Sequence, residues 1–111
     1  MRSSCPVACA LDILGDKWTL LIIRDLLSGF TRFKEFAEGP EGIPTNILSD
    51  RLERLCDQGV VKKVPVSEGA KRFAYQLTPK GKELKKILLP LARWGMKHLP
   101  GTAMNRSSSS G

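Results

Sequence analysis

Residues Gly42–Gly59, GIPTNILSDRLERLCDQG, decide how the rest of the chain is read. Leu48, Leu52 and Leu55 recur at the i, i+4, i+7 spacing of one buried helical stripe. Between them Thr45, Asn46, Ser49, Asp50, Glu53 and Arg54 form a face of short hydrogen-bonding and charged groups. Pro44 or its neighbour marks the start, and Gly59 offers the left-handed stop that helices favour. The segment reads as an amphipathic helix with a polar front end.

Working outward, Arg32–Ala37 reads as a short helix with Phe33 and Phe36 facing inward, separated from the first segment by the turn-rich loop Gly39-Pro40-Glu41-Gly42. Upstream, Lys17–Leu27 carries the stripe Trp18, Ile22, Leu26, and Ser28-Gly29 breaks it. A first helix spans Pro6–Leu14, with Cys5 at its cap and Gly15 at its end. Downstream, Val60–Val66 and Arg72–Thr78 read as strands joined by the hairpin Ser67–Lys71, where Gly69 can supply positive φ. Thr78-Pro79 then opens one long amphipathic helix carrying Leu84, Ile87, Leu88, Leu91 and Trp94, with a bend expected at Pro90. A polar-faced helix trailed by a two-stranded ribbon is the winged form of the helix-turn-helix. The expectation is a mainly α fold with a small β-hairpin wing, one domain over residues 1–100 and a disordered, low-complexity tail over 101–111.

With 18 Lys and Arg against 11 Asp and Glu, the net charge is +7, which favours polyanionic partners. No apolar run approaches the length of a membrane span, and no signal-peptide core is present, so a cytoplasmic protein is expected. Three cysteines make no disulfide framework. A metal site from Cys5, Cys9 and His98 would lack a fourth ligand. There is no glycine-rich phosphate loop, no paired-carboxylate signature and no nucleophile with an evident base. Neither enzymatic activity nor a cofactor is expected.

The residues Cys5-Pro6-Val7, Leu11–Gly15, Lys17-Trp18, Gly29, Arg32–Phe36, Gly42-Ile43, Leu48-Ser49, Arg51-Leu52, Leu55, Gly59–Val61, Tyr75–Thr78, Gly81, Leu91 and Trp94-Gly95 occur in order over most of the chain. In this joint spacing the sequence resembles the HxlR-type transcriptional regulators, winged-helix relatives of the MarR-like group. Two positions depart from the pattern. Asp16 stands where the family more often has a second Gly, and the hairpin Val66–Arg72 lacks the proline pair often seen there.

The resemblance implies a homodimeric regulator of transcription, a repressor more readily than an activator, bound to a pseudo-palindromic DNA duplex. The terminal helices would form the dimer through Val7, Leu11, Leu88, Leu91 and Trp94, and two recognition helices would enter successive major grooves. On the Gly42–Gly59 helix, Thr45, Asn46 and Ser49 are placed to reach base edges, with Arg51 or Arg54 pairing the neighbouring carboxylates or reaching the backbone. Thr31 and Arg32 suit a phosphate clamp, and Lys71 and Arg72 form a cationic wing tip. Lys34 reads either as part of that clamp or as an ordinary charge at an exposed helix start, and Lys62 and Lys63 either add to the wing's field or serve as edge-strand charges that block aggregation.

Cys5 sits where a helix dipole favours a thiolate, and in several regulators of this type a cysteine there resembles a sensor of oxidants, quinones or aldehydes. A small packing residue is the other reading of Cys5. Cys9, Cys56 and Trp18 are expected to be packed, the other reading of Trp18 being an effector pocket for a small molecule, lined together with Trp94. The alternative for the whole chain is a winged-helix protein-interaction module without specific DNA binding.

Overall fold

The computed structural model describes residues 4–69 and 71–102. Along the chain come α1 (Pro6–Leu14), α2 (Lys17–Leu27), α3 (Phe33–Ala37), α4 (Thr45–Asp57), β1 (Val61–Pro65), β2 (Phe73–Leu77), α5 (Pro79–Lys82) and α6 (Lys85–His98). The fold is mainly helical with one antiparallel hairpin. The segment expected as a disordered tail lies, beyond Thr102, outside the described residues.

The core forms where the apolar stripes of α2 and α4 meet. Ile22, Ile23 and Leu26 from α2 and Leu48, Leu52 and Leu55 from α4 are buried, and Phe36 of α3 closes one end. Val60, Val61 and Leu77, at the base of the hairpin, close the other. Gly59 takes φ of +74°, so α4 ends as its sequence predicts and Val60 turns directly into the core.

Two polar devices fix the angle between α2 and α4. Asp16 caps α2: its carboxylate accepts from the Trp18 and Thr19 N–H groups at 3.0 and 3.2 Å and from the Thr19 hydroxyl at 2.7 Å. The same carboxylate accepts from Arg51 Nε of α4 at 3.2 Å. At the other end of α2, Arg24 grips Glu41 with two bonds of 2.8 and 3.0 Å while also bonding its neighbour Asp25. That fork holds the loop leading into α4.

Burial works to raise the Asp16 carboxyl, but the Thr19 hydroxyl, the Thr19 N–H and Arg51 outweigh it and hold the group below the usual carboxylate range. A depressed carboxyl stabilises the fold fully above its unfolded pKa of about 4, and that contribution is lost as pH falls through the lower folded value. Asp16→Ala should therefore cost about 1–2 kcal/mol at neutral pH. Urea unfolding at neutral and acidic pH checks this: the gap between variant and parent should narrow below about pH 4.

The strands pair Val61 with Leu77, Lys63 with Tyr75 and Pro65 with Phe73. Each strand is one residue shorter at both ends than expected, although the pairing bonds continue. Val66 N–H donates to Arg72 C=O at 3.1 Å and Thr78 N–H to Val60 C=O at 3.0 Å. Tyr75 N–H donates to Thr31 C=O at 2.8 Å, stitching β2 to the lead of α3. Gly69 supplies the positive φ of the turn.

The single long C-terminal helix was not realised. Thr78 does cap it, accepting from Gly81 N–H at 3.1 Å, but α5 stops at Lys82 and α6 restarts at Lys85. Tight i→i+3 bonds, Leu84 to Gly81 and Lys86 to Glu83, bridge the break. The cause is tertiary: Gly81 lies pressed on Val60, which sets the direction of α5, and Leu84 then turns inward against the core. Pro90 stands inside α6.

Candidate nucleic-acid interface

The start of α4 is open. Its cap position is Pro44, which has no acceptor to offer, and no side chain caps the first turn. The leading N–H groups are thus left without side-chain partners, unlike those of α2 and α5, and such an end favours an anion. Thr45, Asn46 and Ser49 are exposed around it.

The arginines further along are used differently. Arg51, part-buried, spans Asp16 and Asp50 and serves as a brace between α4 and α2. Arg54 lies 3.8 Å from Asp50 and is half exposed, beside a small recess shared with Asp12, Ile13 and Thr19. It thus borders α1 and α2.

Thr31 and Arg32 lead into α3, half-buried, where Glu35 accepts from both of their N–H groups at 2.9 and 3.0 Å. Those two N–H groups, first Thr31 and then Arg32, draw the Glu35 carboxyl below its usual range. Arg32 leaves its guanidinium without an ion pair among the described residues. Lys71 and Arg72 are exposed at the hairpin tip, likewise unpaired.

Between α4 and the hairpin runs an open groove of about 680 Å³, lined by Ser49, Glu53, Cys56, Lys62, Lys63 and Tyr75 among others. Lys63 and Tyr75 face each other across the strands, and the Lys63 ammonium sits 4.7 Å from the Phe73 ring centre. The sequence left Lys62 and Lys63 between adding to the wing's field and serving as edge-strand charges. Their alignment with α4 depends on the strand register, and the alternation in Arg72–Thr78 was the one available signal.

Cys5 is exposed at the N-cap of α1, where the Ala8 and Val7 N–H groups, in that order, lower its thiol pKa. Cys56, half-buried, is pushed the other way by desolvation. Cys9, expected to be packed, is exposed, and Trp18 is only half-buried. Val7 and Leu11 of α1 are 65% and 56% exposed. Ile87, Leu91 and Trp94 of α6, at i, i+4, i+7, form a second uncovered stripe, with Trp94 58% exposed. Leu88 instead packs, partly buried, against the core of its own chain.

Residues 13–103 match the family model described as HxlR-like helix-turn-helix. The chain belongs to that family. Its winged helix-turn-helix is formed by α3 and α4 with the β1–β2 hairpin as the wing, and the family's role is regulatory and not enzymatic. The HTH-type transcriptional regulator Rv3095 of Mycobacterium tuberculosis, itself uncharacterised, is 39% identical over 94 residues, 85% of this chain and 59% of its own length. The HxlR-like chain thus spans little more than half of that relative. PA1607, solved as a candidate transcription factor, superposes with a TM-score of 0.83 at 37% identity, covering 99% of this chain and 80% of PA1607. YodB of B. subtilis, solved with quinone bound, gives 0.69 at 31% identity, over 84% of this chain and 98% of YodB. The family match begins at Ile13, so Cys5 and most of α1 precede it. Asp16, at a position where the resemblance leads one to expect glycine, has a definite task in this HxlR-like chain: it caps α2 and receives Arg51.

Proposed function

We propose that residues 1–100 form a cytoplasmic, homodimeric regulator that binds a pseudo-palindromic DNA operator and represses transcription by occluding it. The open, polar first turn of α4 carries this reading, because it combines unpartnered N–H groups with the exposed side chains of Thr45, Asn46 and Ser49. Asn46 suits adenine, and Thr45 and Ser49 suit either strand's acceptors. Arg32 and Thr31 on one side and Lys71 and Arg72 on the other would hold phosphates, with Arg54 at the rim. Arg51 contributes by fixing α4. The uncovered stripes of α1 and α6, through Val7, Leu11, Leu91 and Trp94, form the dimer contact, with Leu88 behind them supporting α6.

The test is capture of genomic duplex fragments followed by anisotropy titration against a scrambled duplex. A pair of half-sites spaced by about 10 bp or a multiple should emerge. Affinity should fall steeply with salt, and Arg72→Ala should lower the logarithmic salt slope by about one per protomer. Equal, salt-insensitive binding of both duplexes would leave the chain a protein-docking module instead.

We further propose that Cys5 is the sensing thiol, reacting as thiolate with quinones or oxidants. Support comes from its exposure, from its lowered pKa and from a relative solved with quinone bound. Cys5→Ser should retain operator affinity within about twofold while losing release by electrophiles; as a surface change it should scarcely perturb folding. Release of the Ser variant at the parent's electrophile dose would remove Cys5 from the mechanism.

A further inference from the structure

Glu53 is a carboxylate on the helix proposed to meet DNA. It is exposed on the third turn of α4 and has no ion pair among the described residues, whereas its neighbour Asp50 is matched by Arg51 and Arg54. It also lines the groove between α4 and the wing, where it opposes the Lys62 and Lys63 wall and would repel a phosphate. Non-specific DNA affinity is not served by a carboxylate there.

Its position has a different use. Asn46, Ser49 and Glu53 are spaced i, i+3, i+7 and form one exposed stripe of α4. Glu53 stands about 10 Å along the axis from Asn46, the rise of roughly three base pairs. In a major groove the exposed donors are the exocyclic amines of cytosine and adenine, and a carboxylate, which can only accept, pairs with cytosine N4. We propose that Glu53 is a specificity-determining residue that accepts a hydrogen bond from a cytosine within about three base pairs of the base read by Asn46. Away from that cytosine, the same carboxylate weakens binding by leaving a buried charge unpaired and by repelling phosphates. This inference rests on the DNA-reading role proposed for α4.

The test is selection from random duplexes by the parent protein, Glu53→Gln and Glu53→Ala, with thermal melting to establish that all three fold alike. The parent should enrich one invariant cytosine per half-site. Glu53→Ala should lose about tenfold of its discrimination at that position, keep the neighbouring preferences, and bind scrambled DNA several-fold more tightly. Glu53→Gln should shift the preference towards adenine, which glutamine can contact through N6 and N7. Identical motifs from all three proteins, with affinity raised equally for every sequence, would overturn the inference and leave the DNA-reading role standing. If the parent enriches no motif, both readings fall.

Discussion

Leu52→Ala is expected to lower the unfolding free energy by about 3 kcal/mol, within the range measured for buried leucines. Leu52 is 1% exposed, in the middle of the α4 stripe between Leu48 and Leu55. Those residues meet α2, α3 and the base of the wing, so the lost methyls leave a cavity where several elements converge. A small domain has only about 5–15 kcal/mol of stability in total, so the variant should show a clearly lower urea midpoint with an unchanged slope. Because α4 is also the proposed reading helix, operator binding should weaken only under conditions where the variant begins to unfold. A midpoint within experimental error of the parent would mean that α4 does not pack as described.

Gly81→Ala is expected to cost about 3 kcal/mol, at the upper end for overpacking. A Cβ at Gly81 would fall 2.1 Å from Val60 O and 2.9 Å from Leu77 Cδ2. Val60 O cannot simply retreat, since it already accepts from Thr78 N–H and the Thr78 hydroxyl. Relief would have to come from separating α5 from the strand ends. Gly95→Ala makes the contrast, because nothing lies within 4 Å of its Cβ and the residue is inside α6. That change should raise stability by about 0.5–1 kcal/mol through helix propensity. Thermal melts of the two variants should therefore move in opposite directions, and equal shifts would contradict the placement of Gly81 against Val60.

Much of the fold was legible because its signals are local. The bounds of α1 and α2 were read correctly from apolar spacing, from Pro6 and from the breaks at Gly15 and Ser28-Gly29. The end of α4 at Gly59 and the cap at Thr78 were legible for the same reason, since each needs only the residue and its neighbours. The break at Glu83-Leu84 was not, because the apolar pattern runs on unbroken from Leu84 to Trp94 and the interruption depends on Gly81 meeting Val60, 21 positions earlier. The arginines show the same limit. The sequence allowed Arg51 and Arg54 either to pair with carboxylates or to reach DNA, and only the approach of Asp16 of α2 made Arg51 a brace.

By itself, then, the sequence determined the element types, the two faces of α4, the hairpin after it and the basic character of the surface. Each follows from backbone periodicity or from composition, which contacts within a few residues enforce. Tertiary structure alone decided which polar groups remain available. Asp16 is spent on Thr19 and Arg51, and Arg24 on Glu41, whereas Glu53 is left facing the wing across an open groove. Charge pairing over 17 or 35 positions depends on helix packing angle and strand register, and neither is written in any local window. The polar front of the Gly42–Gly59 helix is therefore legible in the sequence, whereas only the hairpin folded beside it shows that Glu53 lines an open groove.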